Sequence, residues 1–314
     1  METVLVVGID SVVGANIAAL LADHYPVVAI SVDHPSHIAG CECRHLHDQS
    51  LESVRCLTSL YRPGWVVYCG PSSRSAWFET PQLGLSHQPV AVAAAWATAA
   101  AGCGAELTVV SSDSVFTGPR LFHDEESASF CESGAAQTIL HIEEKILSIH
   151  PQPLIARTNA FGWSPGTDGD GWIEQTLEAL AENSAGPFDC IRHATPILAT
   201  DLAAILEHAY QEKLHGRFHI AGGERINPAM FVRRMADTFG HPNPRSTQIE
   251  PLTERSTGFG RGETSLHTQR IRHALSISMP MPGDGLQRLL KQQENGFVDR
   301  LRVAVPDELH ELVA

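Results

Sequence analysis

Val4-Leu-Val-Val-Gly8-Ile-Asp-Ser11-Val-Val-Gly14 is the stretch whose reading decides the fold. An apolar, β-branched run of this length favours a short buried strand. Gly8 permits a tight turn, and Ile17, Leu20 and Leu21 continue beyond it at helical spacing. A strand that ends in a glycine turn and opens a helix points the helix's unpaired N–H groups at the space above the strand end. The positive end of the helix dipole lies there too, so the place favours an anion.

Outward from this unit, strands at 26–32, 44–47, 65–68, 107–111 and 153–156 alternate with helices at 51–61, 89–101 and 133–149. Ser50 stands where it can cap the first of these helices. Apolar strands alternating with helices predict a parallel sheet covered on both faces, an α/β doubly wound fold of the Rossmann type. After Arg157 the rhythm changes. Residues 159–171 hold four glycines and one proline and are expected to form a loop. A helix is expected near Trp172, another with Asp201 as its N-cap, a strand at 217–220, and a helix from Asn227-Pro228 to Phe239. Residues 258–262 read as loop, 285–293 as helix, and the last fifteen residues as a peripheral tail. The expected division is a dinucleotide-binding domain over 1–157 and a smaller substrate-binding part over 158–314, with elements near 194–222 returning to the first.

The 314 residues carry 22 Lys+Arg against 36 Asp+Glu, a net charge of −14. No basic cluster is present, so nucleic acid and anionic membranes are poor partners. The uncharged stretch 90–105 falls short of the ~20 apolar residues a bilayer span needs. No basic leader precedes the first strand, and the seven cysteines are an odd, scattered set. A cytoplasmic protein without a disulfide framework is expected.

In Gly8-x-x-Ser11-x-x-Gly14 the first and third positions of a dinucleotide fingerprint are glycine, and the middle one is serine, whose β-carbon crowds a phosphate. Asp33 closes the second strand, where a carboxylate accepts hydrogen bonds from ribose hydroxyls and repels a 2′-phosphate. Residues 34–38 contain no Lys or Arg, so NAD is expected ahead of NADP. Cys41-x-Cys43-x-His45-x-His47 suggests a metal at first sight. Along a strand, however, alternate residues are ~6.6 Å apart, too far for all four to reach one ion. A structural strand is the expectation, with no metal.

Taken together, several segments resemble the extended short-chain dehydrogenases, in particular the dTDP-4-dehydrorhamnose reductase family. Val110-Ser-Ser-Asp-Ser-Val-Phe-Thr-Gly118 is similar to that family's Ser-Thr-Asp-Tyr-Val-Phe-Asp-Gly. Leu154-Ile-Ala-Arg-Thr-Asn-Ala-Phe-Gly162 is similar to its Arg-Thr-x-x-x-Tyr/Phe-Gly, and Thr195-Pro-Ile-Leu-Ala-Thr-Asp-Leu-Ala203 to its Pro-Thr-x-x-x-Asp-Leu-Ala. Arg261-Gly-Glu-Thr-Ser-Leu266 resembles its Arg-Pro-x-x-x-Leu, with Gly262 in place of proline. The resemblance implies a nicotinamide dinucleotide held by Gly8, Ser11, Val12, Gly14, Asp33, Asp48, Cys69 and Gly70, with Asp48 at the adenine. It implies substrate contacts from Thr158, Asn159, Trp163 and Arg261, a nucleotide sugar as ligand, and Ser112 at the catalytic Ser/Thr position, with Asp113 beside it as a candidate donor.

The family's catalytic Tyr and Lys, four residues apart on one helix face, would fall on Ala135 and Ile139. The tyrosines are Tyr25, Tyr61, Tyr68 and Tyr210 and the lysines Lys145, Lys213 and Lys291, so no Tyr-x-x-x-Lys exists in any register. Two expectations follow. The chain is a degenerate member that binds ligand and regulates or scaffolds a partner enzyme or a second copy of itself. Alternatively, it is an active oxidoreductase or epimerase whose proton donor has moved to a residue such as Asp113 or His123.

Overall fold

The computed structural model describes residues 2–73, 77, 87–166, 171–185, 188–244 and 262–305. The quoted stretch folds as β1 (Val4–Val7), the glycine turn and α1 (Val12–Leu21). There follow β2 (Val27–Ser31), β3 (Glu42–His45), α2 (Leu51–Tyr61), β4 (Trp65–Tyr68), α3 (His87–Cys103), β5 (Glu106–Ser112), α4 (Gly134–Ile149) and β6 (Leu154–Thr158). The later half supplies β7 (Ala160–Phe161), α5 (Trp172–Ala181), β8 (Ile197–Leu198), α6 (Ala199–Gln211), β9 (Gly216–His219) and α7 (Pro228–Phe239). It closes with α8 (Gln269–Leu275), α9 (Pro282–Glu294) and α10 (Phe297–Leu301).

One seven-stranded sheet runs β3-β2-β1-β4-β5-β6-β9, and every pairing in it is parallel. The order reverses direction between β1 and β4, which opens a crevice beyond their carboxyl ends. The composition of β1 reflects its burial on both faces. Val4 and Val6 enter the core shared with α1 and α6, while Leu5 and Val7 enter the core shared with α2, α3 and α4. An unbroken apolar run is what a strand covered on both sides requires. Among the described residues, no helix is long and apolar enough to cross a membrane.

Several local expectations need correction. Asp201 does not cap α6, which begins at Ala199 after Leu198; it lies in the first turn and receives the Arg288 guanidinium at 2.6 Å. The 159–171 segment is not wholly loop, because Ala160 and Phe161 pair with Ile197 and Leu198 in a separate two-stranded sheet. The short helices α8 and α10 have no counterpart in the sequence reading, and 258–261 lie outside the described residues. The tail is not peripheral throughout. Arg300 donates to the Ala19 carbonyl and pairs with Asp23, and Arg302 reaches Glu174 and the Ser164 carbonyl.

One buried carboxylate ties α4 to the sheet. Glu143 accepts the Ser111 hydroxyl at 2.6 Å from β5 and both Nε and Nη2 of Arg157 from β6, at 2.9 and 2.6 Å. Arg217 of β9 adds a further contact at 3.2 Å. Phe116 and Phe130 flank the Arg157 guanidinium, 5.0 and 5.8 Å from their ring centroids. Removing one member of such a pair strands the other charge in the interior. Glu143→Gln is therefore expected to cost about 3–5 kcal/mol in urea unfolding, whereas Glu143→Leu combined with Arg157→Met recovers most of that loss.

Candidate functional site

The glycine turn has no space for side chains at its two ends. Gly8 has φ +86°, and a β-carbon there would lie 2.1 Å from the Cys69 carbonyl oxygen. At Gly14 it would lie 2.1 Å from the Gly8 carbonyl oxygen. Glycine at both positions lets α1 start directly against the ends of β1 and β4. Ser11 holds the turn together. Its Oγ accepts the Gly14 N–H at 3.0 Å and donates to the Gly8 carbonyl at 2.6 Å, capping α1.

Beyond these strand ends lies a cavity of about 1080 Å³. Gly8, Ser11, Val12, Asp33, Cys69 and Gly70 all line it. The loop at 164–166 and the chain at 303–305 complete its wall. Gly14 stands behind the turn and shapes it from there.

A residue that the sequence reading passed over organises the second strand's end. The Asp10 carboxylate accepts the backbone N–H groups of Val32, Asp33 and His34 at 3.3, 2.7 and 3.3 Å. It fixes the loop on which the exposed Asp33 side chain stands. The available signal was a carboxylate inside the glycine turn, within reach of the neighbouring strand end.

Asp48 does not line the cavity. Its carboxylate accepts the Ser50 and Ser53 hydroxyls at 2.7 and 2.6 Å at the start of α2, which hold it below the usual carboxylate range. The next residue, Gln49, lines the cavity instead. Trp163 is also absent from the wall: it is buried, packs against Phe239, and donates its indole N–H to the Leu289 carbonyl. Cys43 and His45 on β3 point into the protein, where His45 contacts the Ser31 hydroxyl.

The residues expected to carry chemistry are buried and do not line this cavity. Ser112 is buried, and its Oγ accepts the Ser114 N–H at 3.1 Å. The buried Asp113 accepts from Asn159 and the Thr264 hydroxyl at 2.8 and 2.7 Å. Thr158 is buried as well. Arg261 lies outside the described residues. On α4, Ala135 is buried, and Ile139 packs in a small apolar cluster with Val115, Phe116, Ala221 and Leu266.

His123 stacks flat on Phe116, with centroids 4.5 Å apart. Its Nε2 lies 3.2 Å from the Glu263 carbonyl, so that nitrogen carries the proton and Nδ1 accepts the Ser127 hydroxyl at 3.0 Å. Burial lowers its pKa below the usual histidine range. His219 donates through Nδ1 to the His123 carbonyl at 2.9 Å. Burial, with Arg157 nearby, pushes it down to about 3.

The family model described as the RmlD substrate binding domain matches residues 1–295, and the chain belongs to that family. A relative from Xenopus laevis, methionine adenosyltransferase 2 subunit beta, is 24% identical over 71% of this chain and 70% of its own length. Among solved structures, dTDP-4-dehydrorhamnose reductase from Bacillus anthracis in complex with NADP superposes with a TM-score of 0.74 at 16% identity, over 93% of this chain and 98% of that one. The Bordetella bronchiseptica enzyme WbmG in complex with NAD and UDP gives 0.75 at 13% identity, over 98% and 99%. These structures share the fold.

The low pKa of His219 has a consequence for stability. A histidine that is hard to protonate when folded, against an ordinary 6.5 when unfolded, contributes stability that is complete above about pH 6.5. That contribution is lost progressively as the pH falls from about 6.5 toward 3. His219→Asn keeps an N–H donor but does not titrate, so its urea-unfolding free energy is expected to fall less over that window than the wild type's.

Proposed function

We propose that this member of the RmlD substrate binding domain family holds a nicotinamide dinucleotide between Gly8 and Asp33. We further propose that it acts as a ligand-binding regulatory or scaffolding protein rather than as a reductase. The cavity fits the first part. It is large enough for a dinucleotide, and the turn brings the start of α1 to the cavity wall at Ser11 and Val12. Gly8, Ser11 and Val12 would hold the pyrophosphate, with Cys69 and Gly70 on the opposite wall. Such a cofactor supplies hydride chemistry when bound. Asp33, exposed at the cavity edge and based on the loop that Asp10 fixes, favours a ribose with free hydroxyls, and so NAD over NADP.

The observation that carries the second part is the helix position where the family has its Tyr and Lys. Here it holds Ala135 and Ile139, and Ile139 is sealed in an apolar cluster. A proton donor and a cation at the nicotinamide ribose are what that position supplies in the reductases, and neither side chain can replace them. His123 and Asp113, the candidates for a relocated donor, have protein partners and do not line the cavity. The amphibian relative's name, a subunit, is in keeping with a chain that works in an assembly.

On this reading, residues 158–314 supply the second wall of the cleft, and a nucleotide sugar or similar small molecule, a second copy or a partner enzyme is the further ligand, in the cytoplasm. A fluorescence titration is expected to show NADH binding, with NADPH weaker by about tenfold or more, as a carboxylate facing a 2′-phosphate implies. NADH is expected not to be consumed with a dTDP-4-keto-sugar. Turnover that Asp113→Ala or His123→Ala removes would establish the relocated donor instead.

A further inference from the structure

Tyr68, at the end of β4, lines the cavity and is 2% exposed. Its hydroxyl has no hydrogen-bond partner among the described residues. The phenol lies where a β-carbon on residue 70 would be: that atom would stand 2.3 Å from the hydroxyl oxygen and 2.4 Å from Cζ. Gly70 therefore gives the Tyr68 ring its place at the cavity wall. A buried hydroxyl without a partner is costly, and phenylalanine would fill the same space without that cost.

A second donor stands on this wall. Trp96, whose ring lies 6.5 Å from that of Tyr68, donates its indole N–H to Gln49 Oε1 at 3.2 Å. That bond fixes the orientation of the carboxamide, because the indole can only donate. The Gln49 amide nitrogen, which makes no bond among the described residues, is left as a donor on a residue that also lines the cavity. Apolar Val32 and Val92 border the same cavity, with Asp33 at its edge.

Two unspent donors between apolar surfaces match a flat heterocycle whose edge carries acceptor nitrogens, and adenine offers such nitrogens. We propose that Tyr68, with Gln49 beside it, is the positioning residue that recognises the base of the nucleotide, the role that the family resemblance would have given to Asp48. The inference deepens the dinucleotide reading and rests on it.

Tyr68→Phe tests it, with the full chain titrated separately with NADH, 5′-AMP and nicotinamide mononucleotide, and with the melting temperature of the ligand-free protein recorded. Loss of one neutral hydrogen bond is expected to weaken NADH and 5′-AMP about three- to tenfold. The mononucleotide stays unchanged, and the ligand-free melting temperature is equal or higher, since an unsatisfied hydroxyl has gone. Gly70→Ala, which displaces the phenol, is expected to weaken 5′-AMP at least as much. Wild-type affinity for 5′-AMP in Tyr68→Phe overturns the inference, as does an equal loss for the mononucleotide. Wild-type protein that binds 5′-AMP but not NADH overturns the dinucleotide reading while leaving the role of Tyr68 standing. Binding of neither overturns both.

Discussion

The Glu143 carboxylate is the point from which the β5-β6-β9 half of the sheet and its covering helix are placed. Charged groups leave water only when the interior supplies partners for each lone pair. Here Ser111 from β5 and Arg157 from β6 do so, with Arg217 of β9 at the margin. The cluster joins three neighbouring strands to α4. It also sets the height of α4 against the sheet, and thereby the positions of Ala135 and Ile139. On that helix Ala135 is buried, and Ile139 packs in the small apolar cluster with Val115, Phe116, Ala221 and Leu266.

The side chains around Ser112 are held by one another. Ser112, Asp113, Asn159 and Thr264 bond chiefly to one another and to nearby backbone. A polar cluster that is satisfied internally contributes to a unique packing and leaves few donors for a ligand. At the glycine turn a side chain is sterically excluded at Gly8 and Gly14, Ser11 caps the helix start, and the buried Tyr68 hydroxyl has no partner among the described residues.

The sheet was legible in the sequence because strands buried on both faces must be largely apolar, and Val4–Val7 and Trp65–Tyr68 are short runs in just that position. Caps were legible for the same local reason: Ser50 and Asn227 act through their own neighbours. What escaped was set by contacts remote in sequence. Asp10 meets residues beyond the next strand, and Trp163 is withdrawn by a carbonyl on α9. The exchange of Asp48 for Gln49 at the cavity turns on one residue of rotation at a helix start, which pattern alone does not resolve. The pair β7–β8 is two residues long on each side, below the length at which alternation can be recognised.

Val303, Ala304 and Val305 share a cavity with Gly8. The glycine turn belongs to the first βαβ unit, which leaves the ribosome early. Here the wall is finished only after α10 has docked on α1 through Arg300, nearly the whole chain later. During synthesis the glycine turn can form, yet the pocket around it stays open on one side. A nascent molecule that stops short of this segment presents the turn without that part of the wall.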